Sequence, residues 1–347
     1  MHDTQIGPER VAADLGLDAS YGSWLAELDC LGGPEPGTVL PAPREAAATL
    51  RELGCPPEAI ADAVGTLPDP RTDPARWWLL ERCRTRLVRT LGDPDAARGT
   101  WPKLPSRLGP AGGAFYLHLV LATMPATRAY HASRHVPEQV SWATLADLGR
   151  HVAIERATTG ATGVDEPWWL TLHLRGILYE IGRLQYAVFR LGRGPEHPSP
   201  WYDDGEAALL GPGFRTGDDA LGVHIPGGTP LTPESCAASY AEARRILDEC
   251  FPSATRRVAT CSSWLLDDQL EEYLGPGSNI LEFQRRFTLV PGAGDGDRGV
   301  LTFVFRTVDT PLDELPHETR LQRAVVAHLR SGRHFRWRTG WMDLPRG

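Results

Sequence analysis

Lysine is nearly missing. Lys103 is the only one in a chain of 347 residues, and arginine supplies the rest of the 36 basic side chains. With abundant alanine, 36 glycines and 30 prolines, this is the usage expected of a high-GC bacterial genome. Arginine abundance therefore says little about guanidinium chemistry in particular. Positive charge is short overall, with a formal net charge of −8. That argues against a nucleic-acid binder, which usually carries a basic patch and a basic pI, but it leaves room for a local basic pocket. Long apolar runs are missing too. The longest, "AFYLHLVLATM", falls far short of the roughly 20 residues a membrane span needs. The opening "MHDTQIGPER" has no cationic start followed by an apolar run. No signal peptide and a cytoplasmic location are therefore expected.

Metal-site spacing is also wanting. Cys30, Cys55, Cys83, Cys236, Cys250 and Cys261 form no C-x-x-C pair and no zinc-type cluster with histidine. They are expected to be reduced, mostly buried thiols. His131 and His135 have helical i, i+4 spacing, but "HASRH" lacks the glutamate of H-E-x-x-H and Pro137 follows at once. No metal is expected. His118 and His151 are assigned to no metal site either.

Hydrophobic residues make up 41% of the chain and include 11 tryptophans, enough for a sizeable core. The first 160 residues read as helices. "PREAAATLRELG" opens with proline and closes with glycine, a helix frame. "DPARWWLLERCRTRLVRTLG" sets Trp77, Leu80, Cys83 and Leu87 at helical spacing. "AFYLHLVLATM" and "WATLADLGRHVAIER" are further helices. Beyond Gly160 the character changes. "LHLRGILYE" and "RLQYAVFRLG" read as a hairpin about the "IG" turn, followed by a polar loop from "GRGPEHPSPWYDDGE" to "GPGFRTGDD". Then come strand "ALGVHIP", helix "PESCAASYAEARRILDECF", strand "RRVATCSS", short helix "WLLDDQLEEYLG", and "SNILEFQRRFTLV", passing from helix to strand. "GVLTFVFRTV" reads as a strand and "TRLQRAVVAHLRSG" as a helix. The tail "RHFRWRTGWMDL" is ambiguous. The order predicts an α+β chain: a helical domain over 1–145, a sheet domain with flanking helices over 146–310, and a helix and tail over 311–347.

The stretch "GVHIPGGTPLTPESC" stands out. Thr232 can cap the helix that Pro233 opens, and Gly227 and Gly228 let backbone approach a ligand closely. A helix start offers free N–H groups and a positive dipole end to an anion. A plain strand-to-helix turn would need the same residues.

The order strand, glycine loop, helix, strand, helix resembles the coenzyme-A-binding half of GNAT-type acyltransferases. More specifically, "GRLQY", "VHIPGGTPLTPESCAAS", "CSSWLLDDQL" and "SNILEFQRRF" resemble recurrent blocks of a bacterial family. That family joins a helical N-acyltransferase N-terminal domain to a GNAT-like C-terminal domain. The resemblance implies an acyl-CoA-dependent N-acyltransferase, with acyl-CoA as co-substrate and a small-molecule amine as acceptor. Direct attack without an acyl-enzyme is implied, and neither nucleic acid nor membrane is a partner. It places the pantetheine arm along Val223 and Ile225, and the pyrophosphate on Gly227, Gly228, Thr229 and Thr232. Asn279, Phe283 and Phe287 fall in the Asn, aromatic, Phe order that GNAT enzymes often carry. The usual GNAT phosphate consensus, Gln/Arg-x-x-Gly-x-Gly/Ala, is absent, and Gly227-Gly228-Thr229 stand in its place without its arginine.

Acyl transfer to an amine needs a base, donors for the oxyanion and a proton or stabilising partner for the thiolate. His224 is the first candidate base, and Glu180, which flanks the turn with Gln185, is a second. Alternation turns His224 away from Val223 and Ile225, so one set faces the core and the other the cleft. Ser262 and Ser263 are candidate donors to the thioester or the departing thiolate. Cys261 could be a nucleophile, though a buried structural thiol fits better. Arg183, Arg285 and Arg286 suit either a CoA phosphate, an acceptor carboxylate or plain surface. The pairs Trp77-Trp78 and Trp168-Trp169 suit a pocket wall or the core. A non-catalytic acyl-CoA sensor and an interaction protein without a CoA site are the competing hypotheses.

Overall fold

The computed structural model describes residues 6–33, 35, 37–97, 99–191, 215, 217–252 and 258–344. The polar loop expected between the hairpin and "ALGVHIP" lies almost wholly outside the described residues. The chain divides into two compact units, Met1–Tyr179 and Glu180–Gly347. The boundary expected at 145/146 falls inside a helix that runs Glu138–Thr159.

The first unit is helical. Its elements are α1 (Pro8–Leu15), α2 (Gly22–Asp29), α3 (Pro43–Glu52), α4 (Pro57–Gly65), α5 (Pro74–Arg89), α6 (Gly109–Gly113), α7 (Phe115–Ser133), α8 (Glu138–Thr159) and α9 (Pro167–Leu174). Proline opens α1, α3, α4, α5 and α9, where its missing N–H costs nothing. The apolar faces meet in one core containing Trp24, Leu28, Leu50, Leu79, Leu80, Cys83, Leu87, Leu117 and Leu148. Burying each of these large apolar side chains contributes about 1.5–3 kcal/mol.

The second unit is a mixed sheet with flanking helices. Its strands are β1 (Leu178–Ile181), β2 (Leu184–Arg190), β3 (Asp219–His224), β4 (Val258–Ser263), β5 (Thr288–Leu289), β6 (Gly294–Asp295) and β7 (Arg336–Asp343). Their order is β1-β2-β3-β4-β7-β5, with β6 pairing the start of β7. Gly182, at φ +63°, makes the tight β1–β2 turn. β3 and β4 are parallel and joined through α10 (Pro233–Cys250), a βαβ unit. Thr232 caps α10, its hydroxyl accepting from Ser235 N–H at 3.2 Å. Ser239 fastens α10 to the hairpin: it donates to the Ile181 carbonyl at 2.5 Å and shares a 2.8 Å bond with the Tyr186 hydroxyl. α11 (Asn279–Gln284), α12 (Asp297–Val300) and α13 (Arg320–Arg330) follow.

Three local expectations change. "LHL" closes α9, and strand begins only at Leu178. "GVLTFVFRTV" is not a strand: α12 runs into a π turn over Leu301–Phe305. Its apolar residues alternate, but Val300, Val304 and Phe305 also sit at helical spacing. Packing against Trp264 and Trp337 settles the choice. The ambiguous tail is the interior strand β7, hydrogen-bonded to β4 on one side and β5 on the other.

Candidate functional site

The parallel pairing of β3 and β4 is short. It links Ala220 to Val258, Leu221 to Ala259 and Gly222 to Thr260, then stops. Both strands run on. Val223 and His224 stay paired only to β2, and Cys261 to Ser263 only to β7. The strands thus part at their C-terminal ends, the edge at which open α/β sheets take ligands.

Register sorts the side chains, because directly paired residues share a face and neighbours alternate. One face carries Tyr186, Val223 and Cys261 and packs on α10, where Tyr186 meets Ser239. Val223 is 2% exposed and belongs to this core. The other face carries Gln185 paired with His224, and Ser262 paired with Thr339. Gln185 donates from its amide to Glu180 at 3.0 Å, and the Ser262 and Thr339 hydroxyls are 2.7 Å apart. Glu180, Gln185, His224, Ser262 and Thr339 therefore form one polar row across the sheet, with His224 and Ser262 on either side of the parting. Ser263 points the other way, and its hydroxyl accepts from Leu265 N–H at 3.0 Å. Cys261 is 2% exposed, and burial pushes its thiol up to about 12. It is a neutral core thiol at physiological pH.

Beyond His224 the chain forms the loop to α10. Ile225 is half-buried, and Gly227, Gly228 and Thr229 are exposed. Gly228 has φ +107°, a conformation that side chains rarely adopt. Arg183 organises this loop. Its guanidinium donates to the carbonyls of Pro226 at 2.9 Å, Thr229 at 2.8 Å and Pro230 at 3.1 Å. Engaging those carbonyls removes acceptors that would repel an anion near the start of α10. Arg286 lies over the Tyr240 ring at 5.7 Å. Arg285 is spent on Glu282 and the Pro276 carbonyl. Asn279 opens α11, half-buried, just after the Ser278 cap. Phe283 is 2% exposed and packs on Phe287 at 5.1 Å, inside the core.

The first unit holds a second titratable cluster. Asp147, 1% exposed, pairs with Arg150 and with His151 Nε2 at 3.2 Å. His173 Nε2 lies 3.1 Å from the same carboxylate, off hydrogen-bond alignment. His151 Nδ1 meets Asp165 at 2.5 Å. Burial acts to lower the His151 pKa, but the hydrogen bonds to Asp147 and Asp165 outweigh it and raise the group to about 9. Burial likewise opposes ionisation of Asp147, and its histidine partners overcome that and hold it below the usual carboxylate range. This cluster ties α8 to α9, which carries Trp168 and Trp169 edge to face at 5.3 Å. Trp78 is in the core and Trp77 half-buried against it. His131 is buried and bonds Ser141 at 2.8 Å, and burial lowers it to about 4. Among the described residues no group of three or more metal-type ligands converges. None of the six cysteines forms a disulfide, and no described helix is long and apolar enough to cross a membrane.

Sequence reasoning missed Thr339, because its strand was not recognised, and the loop-clamping role of Arg183, because nothing in the sequence ties a turn arginine to distant carbonyls.

Two family models match. The N-acyltransferase N-terminal domain covers residues 44–176 and the GNAT-like C-terminal domain covers 178–342. No curated protein matches the chain. Among solved structures, an acyltransferase in complex with decanoyl-CoA and teicoplanin is 43% identical, with TM-score 0.87, over 98% of this chain and 100% of that one. An acyltransferase in complex with CoA and 10C-teicoplanin matches at 42% identity with the same coverage and TM-score. A mutant acyltransferase in complex with octanoyl-CoA also matches at 42% identity, with equal coverage and TM-score.

Fold and comparisons together define an acyl-CoA-dependent enzyme that transfers acyl groups. The chain belongs to the family that joins an N-acyltransferase N-terminal domain to a GNAT-like C-terminal domain.

Proposed function

We propose that this enzyme moves a medium-length aliphatic acyl group from CoA to an amine on a glycopeptide of the teicoplanin type. The observation that carries this is near-complete coverage, at 43% identity, of an acyltransferase holding decanoyl-CoA and teicoplanin. Another match holds CoA and 10C-teicoplanin. Those two ligand pairs correspond to the two sides of a ten-carbon acyl transfer, which supports the reading.

The pantetheine arm runs into the parting between β3 and β4 along the backbone of Val223 and Ile225. Backbone groups freed from the ladder there are available to hold it. Gly227, Gly228, Thr229 and the Thr232 end of α10 take the phosphates. The acceptor nitrogen attacks the thioester carbon and forms the C–N bond. His224 accepts the proton that the nitrogen loses, with Glu180 and Gln185 behind it in the polar row. The tetrahedral intermediate collapses with cleavage of the C–S bond. Ser262, relayed by Thr339, donates a hydrogen bond to the departing sulfur. No acyl-enzyme forms, consistent with the buried neutral state of Cys261.

The test is incubation with decanoyl-CoA and a de-acylated teicoplanin core, followed by mass spectrometry. The expected product is heavier by one decanoyl group in place of hydrogen, with one free CoA per product. Absence of product across a panel of glycopeptide amines would remove the acceptor assignment.

A further inference from the structure

The loop lacks the arginine of the usual GNAT phosphate consensus, and a distant part of the chain brings one there. Arg306 follows the π turn Leu301–Phe305 and adopts the left-handed conformation, φ +60° and ψ +24°. Apart from His135 it is the only described non-glycine residue with positive φ. Such a backbone is strained and persists where the surroundings impose it. π turns are themselves uncommon and concentrate at functional sites. The Arg306 N–H closes the turn onto the Thr302 carbonyl at 3.0 Å. This strained pair of turns aims the side chain at the β3–α10 loop. Its Nη2 lies 3.5 Å from the position a Cβ would occupy on Gly227.

Several other arginines of this unit are neutralised by carboxylates. Arg285 meets Glu282, Arg330 meets Asp313, Arg333 meets Glu272, and Arg336 meets Asp267 and Asp268. Arg306 is exposed, and among the described residues it has no carboxylate or carbonyl partner. Arg183 meanwhile occupies the loop carbonyls that would otherwise repel an anion. A free guanidinium beside exposed glycine amides is a matched pair of donors for a phosphate oxygen.

We propose that Arg306 is the charged contact of this enzyme to a phosphate group of its acyl-CoA donor, reaching the loop from the π turn in place of an arginine within the loop. It thereby favours the phosphorylated donor over phosphate-free thioesters. The inference rests on the reading that acyl-CoA lies on this loop, but not on the glycopeptide acceptor. The shared chemistry is a phosphate oxygen, from either the pyrophosphate or the 3′-phosphate.

The test uses Arg306→Gly, which removes the charge while relieving the left-handed strain, and Arg306→Lys, which keeps the charge. Calorimetric titration with decanoyl-CoA should show affinity lowered about tenfold or more in Arg306→Gly, as loss of a charge-assisted hydrogen bond implies, and a smaller loss in Arg306→Lys. Decanoyl-pantetheine should show no difference between wild type and Arg306→Gly. Decanoyl-dephospho-CoA separates the sources: a retained penalty assigns the pyrophosphate, a vanished one the 3′-phosphate. Equal affinity of wild type and Arg306→Gly for decanoyl-CoA, or an equal penalty with decanoyl-pantetheine, overturns the proposal. Binding is read without turnover. A wild type that binds decanoyl-CoA but acylates no glycopeptide removes the acceptor assignment and leaves Arg306 tested.

Discussion

Gln185 on β2 stands directly opposite His224 on β3, and its side-chain amide donates to the Glu180 carboxylate at 3.0 Å. That pairing puts a titratable ring, a buried amide and a carboxylate on one face of the sheet, at the edge where β3 leaves β4. His224→Ala should lower kcat at least a hundredfold, roughly the usual worth of a general base, with decanoyl-CoA affinity changed less than threefold or so. Single-turnover kinetics alongside calorimetry separate the two. Activity within a few-fold of wild type would remove His224 as the base and turn attention to Glu180.

Ser262 and Ser263 are neighbours in sequence but point to opposite faces. Ser262→Ala should lower kcat about tenfold with little change in melting temperature, in keeping with loss of one hydrogen bond in the transition state. Ser263→Ala removes the cap on the Leu265 N–H and should cost about 1 kcal/mol of stability. Its effect on turnover should be smaller than that of Ser262→Ala. The reverse ranking would exchange their roles.

Arg183 holds the β3–α10 loop at three points through its carbonyls. Arg183→Met keeps much of the side-chain bulk and loses the fork. Decanoyl-CoA affinity should fall about tenfold, because a loop released from its shape must be ordered on binding. Gly228→Ala meets a different obstacle, a backbone at φ +107°, and should weaken the donor similarly. Unchanged affinity in both variants would mean that the loop takes no part in holding CoA.

Cys261 is buried and its thiol is pushed up to about 12. Cys261→Ala should retain turnover within about threefold, and iodoacetamide should leave Cys261 unlabelled in the folded protein. Peptide mapping after alkylation checks this. Loss of all activity in Cys261→Ala, with the fold intact by circular dichroism, would require a covalent route.

The Asp147 cluster sets a pH dependence. His151 is raised from 6.5 to about 9 in the folded chain, the partnership with Asp147 and Asp165 outweighing burial. Its proton is thus bound more tightly in the folded than in the unfolded chain. The stability it contributes is fully present below about pH 6.5 and is lost as pH rises to about 9. Melting temperature should therefore decline across that interval, and His151→Gln should flatten the decline. Asp147→Asn leaves the neighbouring cations without their carboxylate and should cost roughly 3 kcal/mol or more, read by urea unfolding at pH 7. A pH-independent melting temperature in wild type would contradict the assignment.

Much of this architecture is legible in the sequence, for identifiable reasons. Proline starts, the Thr232 cap and helical spacing mark most helices, since those signals are local. The glycine loop and "CSS" mark the two strand ends, and family resemblance supplies the ligand. The remainder depends on partners distant in the chain. "RWRTGWMD" lacks clean alternation: only Gly340 and Met342 of β7 are buried, and most of the rest is half-buried on both faces. "LTFVF" fits two periodicities, and only contact with Trp264 and Trp337 selects the π turn. Arg306 is unreadable for the same cause: its place beside Gly227 exists only once that turn forms.

The position of β7 also bears on the order in which the sheet can be built. It lies between β4 and β5, yet it is translated after every other strand of the sheet. Until Arg336–Asp343 leave the ribosome, β4 has an open edge and Ser262 lacks Thr339. The helical unit, made first, can mature during synthesis, as N-terminal domains generally do. The sheet cannot close, nor its polar row be completed, before that final strand inserts. A nascent chain halted after α13 would thus expose a bare central edge, and chaperones should engage it there rather than on the helices already folded.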